Sequence, residues 1–275
     1  NYHGEKNHPT TFKVSSKKVS RPFLKWAGGK SQLLRQFEQF FPQSFKRYYE
    51  PFIGSAAVFF HLRSTDRSPD ARLSDSNSEL IDCYKSVRDF LPQLIRNLAI
   101  HKMQHSTNYY YMIRNTEPNK LSLPARAART IYLNKTCFNG LYRVNKSGKF
   151  NVPIGRYTNP PILNIKLLTS ASIALQGVGL EVADFRKLPT MVQKGDFVYL
   201  DPPYQPSSST SYFTSYTSSD FVENDQRDLV STVKQLSALG ASVMISNSET
   251  QFVRELYKDF QIHRVTTSRA INSNP

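Results

Sequence analysis

Apolar positions along this chain fall into two alternating kinds of run. Some are short and of strand length, others are spaced three and four apart, and their alternation predicts a parallel α/β sheet. Helical spacing begins at Ser31-Gln32-Leu33-Leu34 and continues to about Phe40. Tyr48-Tyr49-Glu50 reads as a short strand ending in the turn Pro51-Phe52-Ile53-Gly54-Ser55, and Ala56 to Leu62 follows as a helix. Arg72 to Asp75 is a second strand, with a helix from Asn77 to about Asp89. These are two successive strand–turn–helix units of one sheet. The alternation resumes with strands at Leu180 to Val182 and Phe197 to Leu200 and a helix from Glu223 to Leu239. A strand from Ala241 to Ser246, a helix from Thr250 to Tyr257 and a strand from Gln261 to Thr267 complete it.

Between residues 91 and 165 that rhythm breaks. Helical patterns lead there into a loop stretch rich in Gly, Asn and Pro (Asn139-Gly140, Ser147-Gly148, Pro153, Gly155), so an inserted domain is expected at 91–165 within a sheet domain made of 21–90 and 166–275. Residues 1–20 are polar and basic and are expected to form a flexible tail. The Ser/Thr/Tyr-rich stretch from Tyr204 to Asp220 is long enough for a mobile loop.

Composition narrows the class. With 275 residues, 39% of them hydrophobic, the chain can bury a substantial core. No apolar run approaches the roughly 20 residues of a membrane span, and the start has no signal-peptide core, which argues for a cytoplasmic protein. Cys83 and Cys137 are too few for a disulfide framework and have no zinc-ligand spacing, so no metal is expected. The net charge of +15 is unevenly placed: between His101 and Lys166 eleven Lys and Arg face one acid, Glu117. Interleaved with Tyr109, Tyr110, Tyr111, Phe138, Tyr142, Phe150 and Tyr157, this reads as a polyanion surface rather than a merely solvated face.

The sharpest chemical signal is Asp201-Pro202-Pro203-Tyr204, directly after Phe197-Val198-Tyr199-Leu200. Two prolines cannot continue a strand, so Asp201 falls at the carboxyl edge of the sheet, where α/β proteins bind ligands. A carboxylate, a rigid carbonyl and an aromatic ring suit the exocyclic amine of a flat base. Such an amine is a poor nucleophile, and a site that methylates it must accept hydrogen bonds from both amino protons while positive charge develops on nitrogen. Asp201 and the Pro202 carbonyl are the candidate acceptors and Tyr204 the stacking ring. The alternative is a plain strand-ending turn. Asp75, at the next strand end beyond the glycine turn, suits ribose hydroxyls, and helix capping is an equal reading. Asp184, after the third strand, could take an adenine amino group of the same ligand or cap a turn. Gly28-Gly29-Lys30-Ser31 is not a P-loop, because Leu24 stands where that motif needs its first glycine. Trp26, the only tryptophan, is flanked by cations and small residues, which favours a ligand-facing place over a core one.

Six segments in order resemble a Dam-type DNA adenine-N6 methyltransferase: Phe23 to Lys30, Glu50 to Gly54, Asp75, Asn139 to Arg143, Phe150 to Tyr157 and Asp201 to Tyr204. The resemblance spans about residues 21 to 274. It implies a Rossmann-like class I methyltransferase sheet carrying an inserted, mainly helical DNA-recognition domain. It further implies S-adenosylmethionine bound by Trp26, Lys30, Asp75 and Asp184, with Glu50 and Phe52 shaping the pocket and Asp201 touching both donor and target. Catalysis falls to Asp201, Pro202, Pro203 and Tyr204 acting on an adenine flipped from double-stranded DNA. The family's GATC-reading positions fall on Asn139, Leu141, Arg143, Pro153 and Arg156, with Phe138 as the wedge that fills the gap. The chemistry suits them, since Arg can grip guanine O6 and N7 while Leu or Pro can touch a thymine methyl.

A monomer fits this reading, and a cognate restriction endonuclease is a companion that only neighbouring genes could reveal. Two competing readings are an RNA or protein methyltransferase on the same fold, disfavoured by the whole Gly140 to Tyr157 segment, and an idle DNA-binding regulator, which is expected to lose Asp201 or Trp26. The chain departs from the family at Ala56, where many members have Gly. It also stops at Arg269 to Pro275, where members continue into another strand, and lacks an initiator Met, so it reads as a fragment without its last strand.

Overall fold

The computed structural model describes residues 20–65, 67, 70–204, 221 and 223–266. The expected basic tail lies outside the described residues except for Ser20, and so does nearly all of the expected loop after Tyr204. Five strands, β1 (Arg47–Glu50), β2 (Asp70–Asp75), β3 (Gly179–Val182), β4 (Phe197–Leu200) and β5 (Ser242–Ile245), form one parallel sheet in the order β3-β2-β1-β4-β5. All five were legible in the sequence, to within about two residues at each end.

A parallel sheet is covered on both faces, and the period of two decides which residue goes where. In β4 the four side chains are all buried: Phe197 and Tyr199 enter one core with Tyr48 and Leu73, while Val198 and Leu200 enter the other with Tyr49. The first core is closed by α1 (Leu34–Phe37), α2 (Ala57–Ser64), α3 (Ser78–Asp89) and α7 (Ile165–Leu175). The second is closed by the 3-10 turn Phe185–Thr190, α8 (Glu223–Ala238) and α9 (Gln251–Leu256).

The stretch between α3 and α7 is helical, with α4 (Leu91–Gln104), α5 (Thr107–Asn115) and α6 (Leu123–Thr136). Its Leu94, Leu98, Tyr110, Ile131 and Tyr132 belong to the same core as the sheet's first face. Close approach of α6 to α3 is allowed by small residues, with Cys83 against the Ala127 carbonyl at 3.8 Å. A buried ionic link seals it: Arg129 faces Glu79 at 3.5 Å and donates to the carbonyls of Ile113 and Arg114, so α3, α5 and α6 are tied by one guanidinium.

The helix α7 was not anticipated, and two expected elements differ from the sequence reading. The helix expected from Ser31 to about Phe40 begins only at Leu34 and closes as the 3-10 turn Glu38–Phe40, ending where expected because Phe41 precedes Pro42 and is extended. No strand forms over the described residues 261–266 of the expected Gln261 to Thr267 strand. That segment finds side-chain partners on the first helical stretch instead: the Gln36 side chain donates to the Thr266 carbonyl (3.0 Å) and His263 stacks on Phe40 (4.3 Å). Among the described residues no helix is long and apolar enough to cross a membrane.

Candidate active site

Strand order reverses between β1 and β4, and there the carboxyl ends of neighbouring strands diverge into a crevice. Glu50 ends β1, Asp75 ends β2 and Asp201 follows β4, so three acids that are distant in sequence share one edge. The Asp201 carboxylate is held at both oxygens. Lys30 Nζ lies 2.7 Å from Oδ2, and Ser246 Oγ donates to Oδ1 at 2.7 Å. Burial raises the Asp201 pKa above the ordinary carboxylate range, while Lys30 and Ser246 pull it back.

Lys30 is itself buried, and burial opposes its charge. Asp201 and the neighbouring Tyr204 more than offset this and raise its pKa. Its ammonium also sits 4.6 Å from the centre of the Tyr204 ring. Pro202 is buried beneath this group, whereas Pro203 and Tyr204 remain exposed.

Glu50 is buried against the sheet, where it accepts from Tyr48 Oη at 2.8 Å. Burial pushes its pKa up to about 8, the Tyr48 hydrogen bond works against this, and Asp201 adds to it, so the carboxyl is largely neutral at pH 7. Asp75 is raised to about 6 by burial, moderated by the backbone N–H groups of Asn77, Gly54, Ser76 and Ile53. Its Oδ1 accepts from Asn77 N (2.9 Å), and Asn77 rather than Asp75 caps α3.

Trp26 is half-buried, stacked on Tyr142 with ring centres 5.4 Å apart. Gly54 lies beneath it with φ +45°, and a Cβ there would come within 3.0 Å of the indole Cδ1. Glycine thus lets the indole pack directly on the turn. Ala56 has the positive φ of 54° that favours glycine, which is the physical content of the departure noted in the sequence. Phe52 packs against Phe185 and Phe221. Asp184 is exposed and caps its own turn, accepting from Arg186 N at 2.8 Å and pairing with the Arg186 guanidinium at 2.9 Å.

The residues expected to read DNA converge on one structure. The chain at Cys137 pairs antiparallel with Ile154, and Val144 with Phe150, so a looped ribbon carries Phe138, Asn139, Leu141, Arg143, Pro153 and Arg156 together. Phe138, Asn139, Pro153 and Arg156 are exposed. Arg143 is aimed by Asn151, whose side-chain oxygen accepts from Nε at 2.8 Å. Asn139 takes a left-handed φ of 54°, and Gly140 follows with φ +64°.

Sequence reasoning missed what fixes this ribbon. Asn134, buried on α6, accepts from Lys25 N (2.9 Å) and donates to the carbonyls of Lys25 (2.6 Å) and Gly140 (3.3 Å). It thereby joins the Trp26 segment to the ribbon. A cleft of about 580 Å³ opens between the two, lined by Lys25, Trp26, Ser55, Asn139 and Leu141 among others.

A family model described as D12 class N6 adenine-specific DNA methyltransferase matches residues 26–271. The chain belongs to that family. A Type II methyltransferase, M1.LlaDCHI, of Lactococcus lactis subsp. cremoris is 44% identical over 255 residues, covering 90% of this chain and 88% of the relative. The Type II methyltransferase M.MjaIII of Methanocaldococcus jannaschii is 41% identical over 268 residues, or 92% and 93% of the two chains. The DNA adenine methylase of Escherichia coli (strain K12) is 36% identical over 261 residues, 94% of this chain and 91% of that one. The chain is thus a DNA adenine-N6 methyltransferase, and the parallel sheet fits this membership.

Proposed function

We propose that this methyltransferase transfers a methyl group from S-adenosylmethionine to N6 of an adenine flipped out of duplex DNA, in the sequence GATC. The observation that carries the reading is Asp201, a carboxylate at the strand edge, held by Lys30 and Ser246 and followed by a buried proline and an exposed aromatic ring. The indole of Trp26 seated on Gly54 and the Asp75 carboxylate at the end of β2 suit the donor's adenosine moiety. Trp26, Lys30, Glu50, Phe52, Asp75, Asp184 and Asp201 are the proposed donor pocket, and the donor supplies the electrophilic methyl group. Phe52 and Asp184 rest on the resemblance more than on their present partners.

Within the target pocket Asp201 and the Pro202 carbonyl accept from the two amino protons and favour a tetrahedral nitrogen as charge develops on it. A raised basicity fits Asp201 for the proton that N6 must release. Tyr204 stacks on the base. Residues 91–165 are proposed as the target-recognition unit: Asn139, Leu141, Arg143, Pro153 and Arg156 read base edges while Phe138 fills the gap in the duplex. We propose a monomer that acts on one strand at a time. A cognate restriction endonuclease is an attractive companion, because two of the relatives carry Type II names.

The test is methyl transfer from labelled donor to a duplex carrying one GATC site. Asp201→Ala should abolish transfer while DNA binding and folding persist, because the lost acceptor acts on charge present only in the transition state. Near-normal transfer by that variant would overturn the mechanism, and transfer to tRNA in preference to duplex DNA would overturn the substrate.

A further inference from the structure

β5 pairs with β4 in parallel register, Tyr199 opposite Met244 and Leu200 opposite Ile245. The ladder continues one step beyond both strands, with Ser246 N donating to the Leu200 carbonyl at 2.9 Å. That step sets Ser246 beside Asp201 on the same face of the sheet. Its hydroxyl donates to Asp201 Oδ1 at 2.7 Å and lies 3.0 Å from Tyr199 Oη. Because Ser246 Oγ–H is committed to Asp201, the Tyr199 hydroxyl donates to Ser246, and a directed chain Tyr199 to Ser246 to Asp201 results. The next residue reaches the other end of the turn: Asn247 Nδ2 donates to buried Gln226 (3.2 Å), whose amide points at the Pro203 carbonyl (3.5 Å).

We propose that Ser246 is a positioning residue for methyl transfer, fixing the Asp201 carboxylate so that a lone pair faces the target amine. The proposal rests on the reading of Asp201 as the amine acceptor. A carboxylate free to rotate about its last bond would spend part of its time turned away from the amine, and Lys30 alone, a point charge on a flexible stem, restrains it poorly. A directional hydroxyl, itself oriented by a tyrosine packed in the sheet core, removes that freedom before substrate arrives. The groups facing Asp201 are Lys30 from the amino-terminal segment, Tyr48 and Glu50 from β1, Tyr199 from β4, Tyr204 from its own turn and Ser246 from beyond β5.

The experiment is single-turnover methyl transfer to a GATC duplex across pH with Ser246→Ala, Ser246→Thr, Tyr199→Phe and Asp201→Ala. Ser246→Ala should slow the methyl-transfer step about tenfold, equivalent to about 1.4 kcal/mol, with KM for donor and DNA within about twofold of the parent. Its acid limb should move to higher pH, because the lost hydrogen bond favoured the ionised carboxylate. Ser246→Thr should restore most of the rate, and Tyr199→Phe should show a smaller loss of the same kind. A Ser246→Ala rate within twofold of the parent with an unmoved acid limb, while Asp201→Ala is inactive, overturns the positioning role and leaves the acceptor role standing. Loss through a raised KM alone overturns it too. Should Ser246→Ala fail to fold, Tyr199→Phe decides: a parental rate and acid limb overturn the chain. Activity in Asp201→Ala would instead overturn the underlying reading.

Discussion

Replacing Lys30 by Met strands the Asp201 carboxylate in a crevice where both partners are shielded, with side-chain exposures of 5% and 20%. At 2.7 Å the gross attraction is about 6 kcal/mol for an effective dielectric constant of about 20, and burial cancels part of it. Breaking such a pair by removing one partner costs about 3–5 kcal/mol. The loss has a ceiling, because Asp201 can take up a proton instead. From an unfolded carboxylate pKa of about 3.9, neutralisation costs about 5 kcal/mol at pH 7.5 and about 2 kcal/mol at pH 5.5.

Lys30→Met should therefore destabilise the protein strongly at pH 7.5 and much less at pH 5.5. Adding Asp201→Asn removes the stranded charge and should recover most of the stability at pH 7.5. Urea unfolding of the parent, both single variants and the double variant closes a thermodynamic cycle, and a coupling of about 2–4 kcal/mol at pH 7.5 is expected. The contact of the ammonium with the Tyr204 ring is lost equally in both arms and leaves the coupling largely unaffected. A coupling below about 0.5 kcal/mol, or one that does not shrink at pH 5.5, would refute the buried pair.

Trp26, the chain's one tryptophan, stacked on Tyr142, should change fluorescence on titration with S-adenosylmethionine. Asp75→Ala should weaken that binding by about 1–3 kcal/mol, and unchanged affinity would place the donor elsewhere. Arg143→Ala should cost about 1–3 kcal/mol of discrimination at the guanine it reads, measured as methylation of duplexes altered at each GATC position. Lys149→Ala, as a phosphate contact, should instead weaken all sequences alike and flatten the salt dependence, and equal rates on every altered duplex with Arg143 intact would remove its assignment. Glu50 keeps its proton to about pH 8 in the fold but ionises near 4.3 when unfolded, so the native state binds the extra proton between those values and stability falls as pH rises through them. Glu50→Gln should flatten that decline in urea melts from pH 5 to 8.5, and parallel curves for parent and variant would show that the carboxyl is already ionised.

Local sequence located β4 most plainly, because a strand buried on both faces must be apolar throughout and Phe197-Val198-Tyr199-Leu200 has no polar side to offer, whereas β2 and β3 are only partly buried. Local sequence was also enough to set Asp201 at a strand edge, since Pro202 and Pro203 forbid continuation. The start of α3 at Asn77 was legible too, and Asn77 caps it by accepting from Leu80 N. These features are short-range, and the chain carries its own instructions for them.

What needed the tertiary structure is whatever depends on register or on packing between distant segments. Ser246 is an ordinary polar residue after an apolar run until the β4–β5 pairing puts it against Asp201. Lys30 sits in a glycine-rich segment that could serve many ends, and only folding buries it on a carboxylate 171 positions away. Gln261 to Thr266 has strand composition yet forms no ladder, its partners being Gln36 and Phe40 rather than the sheet. A side chain's type is local information, but the energy that gives it a role comes from the neighbours that desolvate and orient it, and those are chosen by the fold.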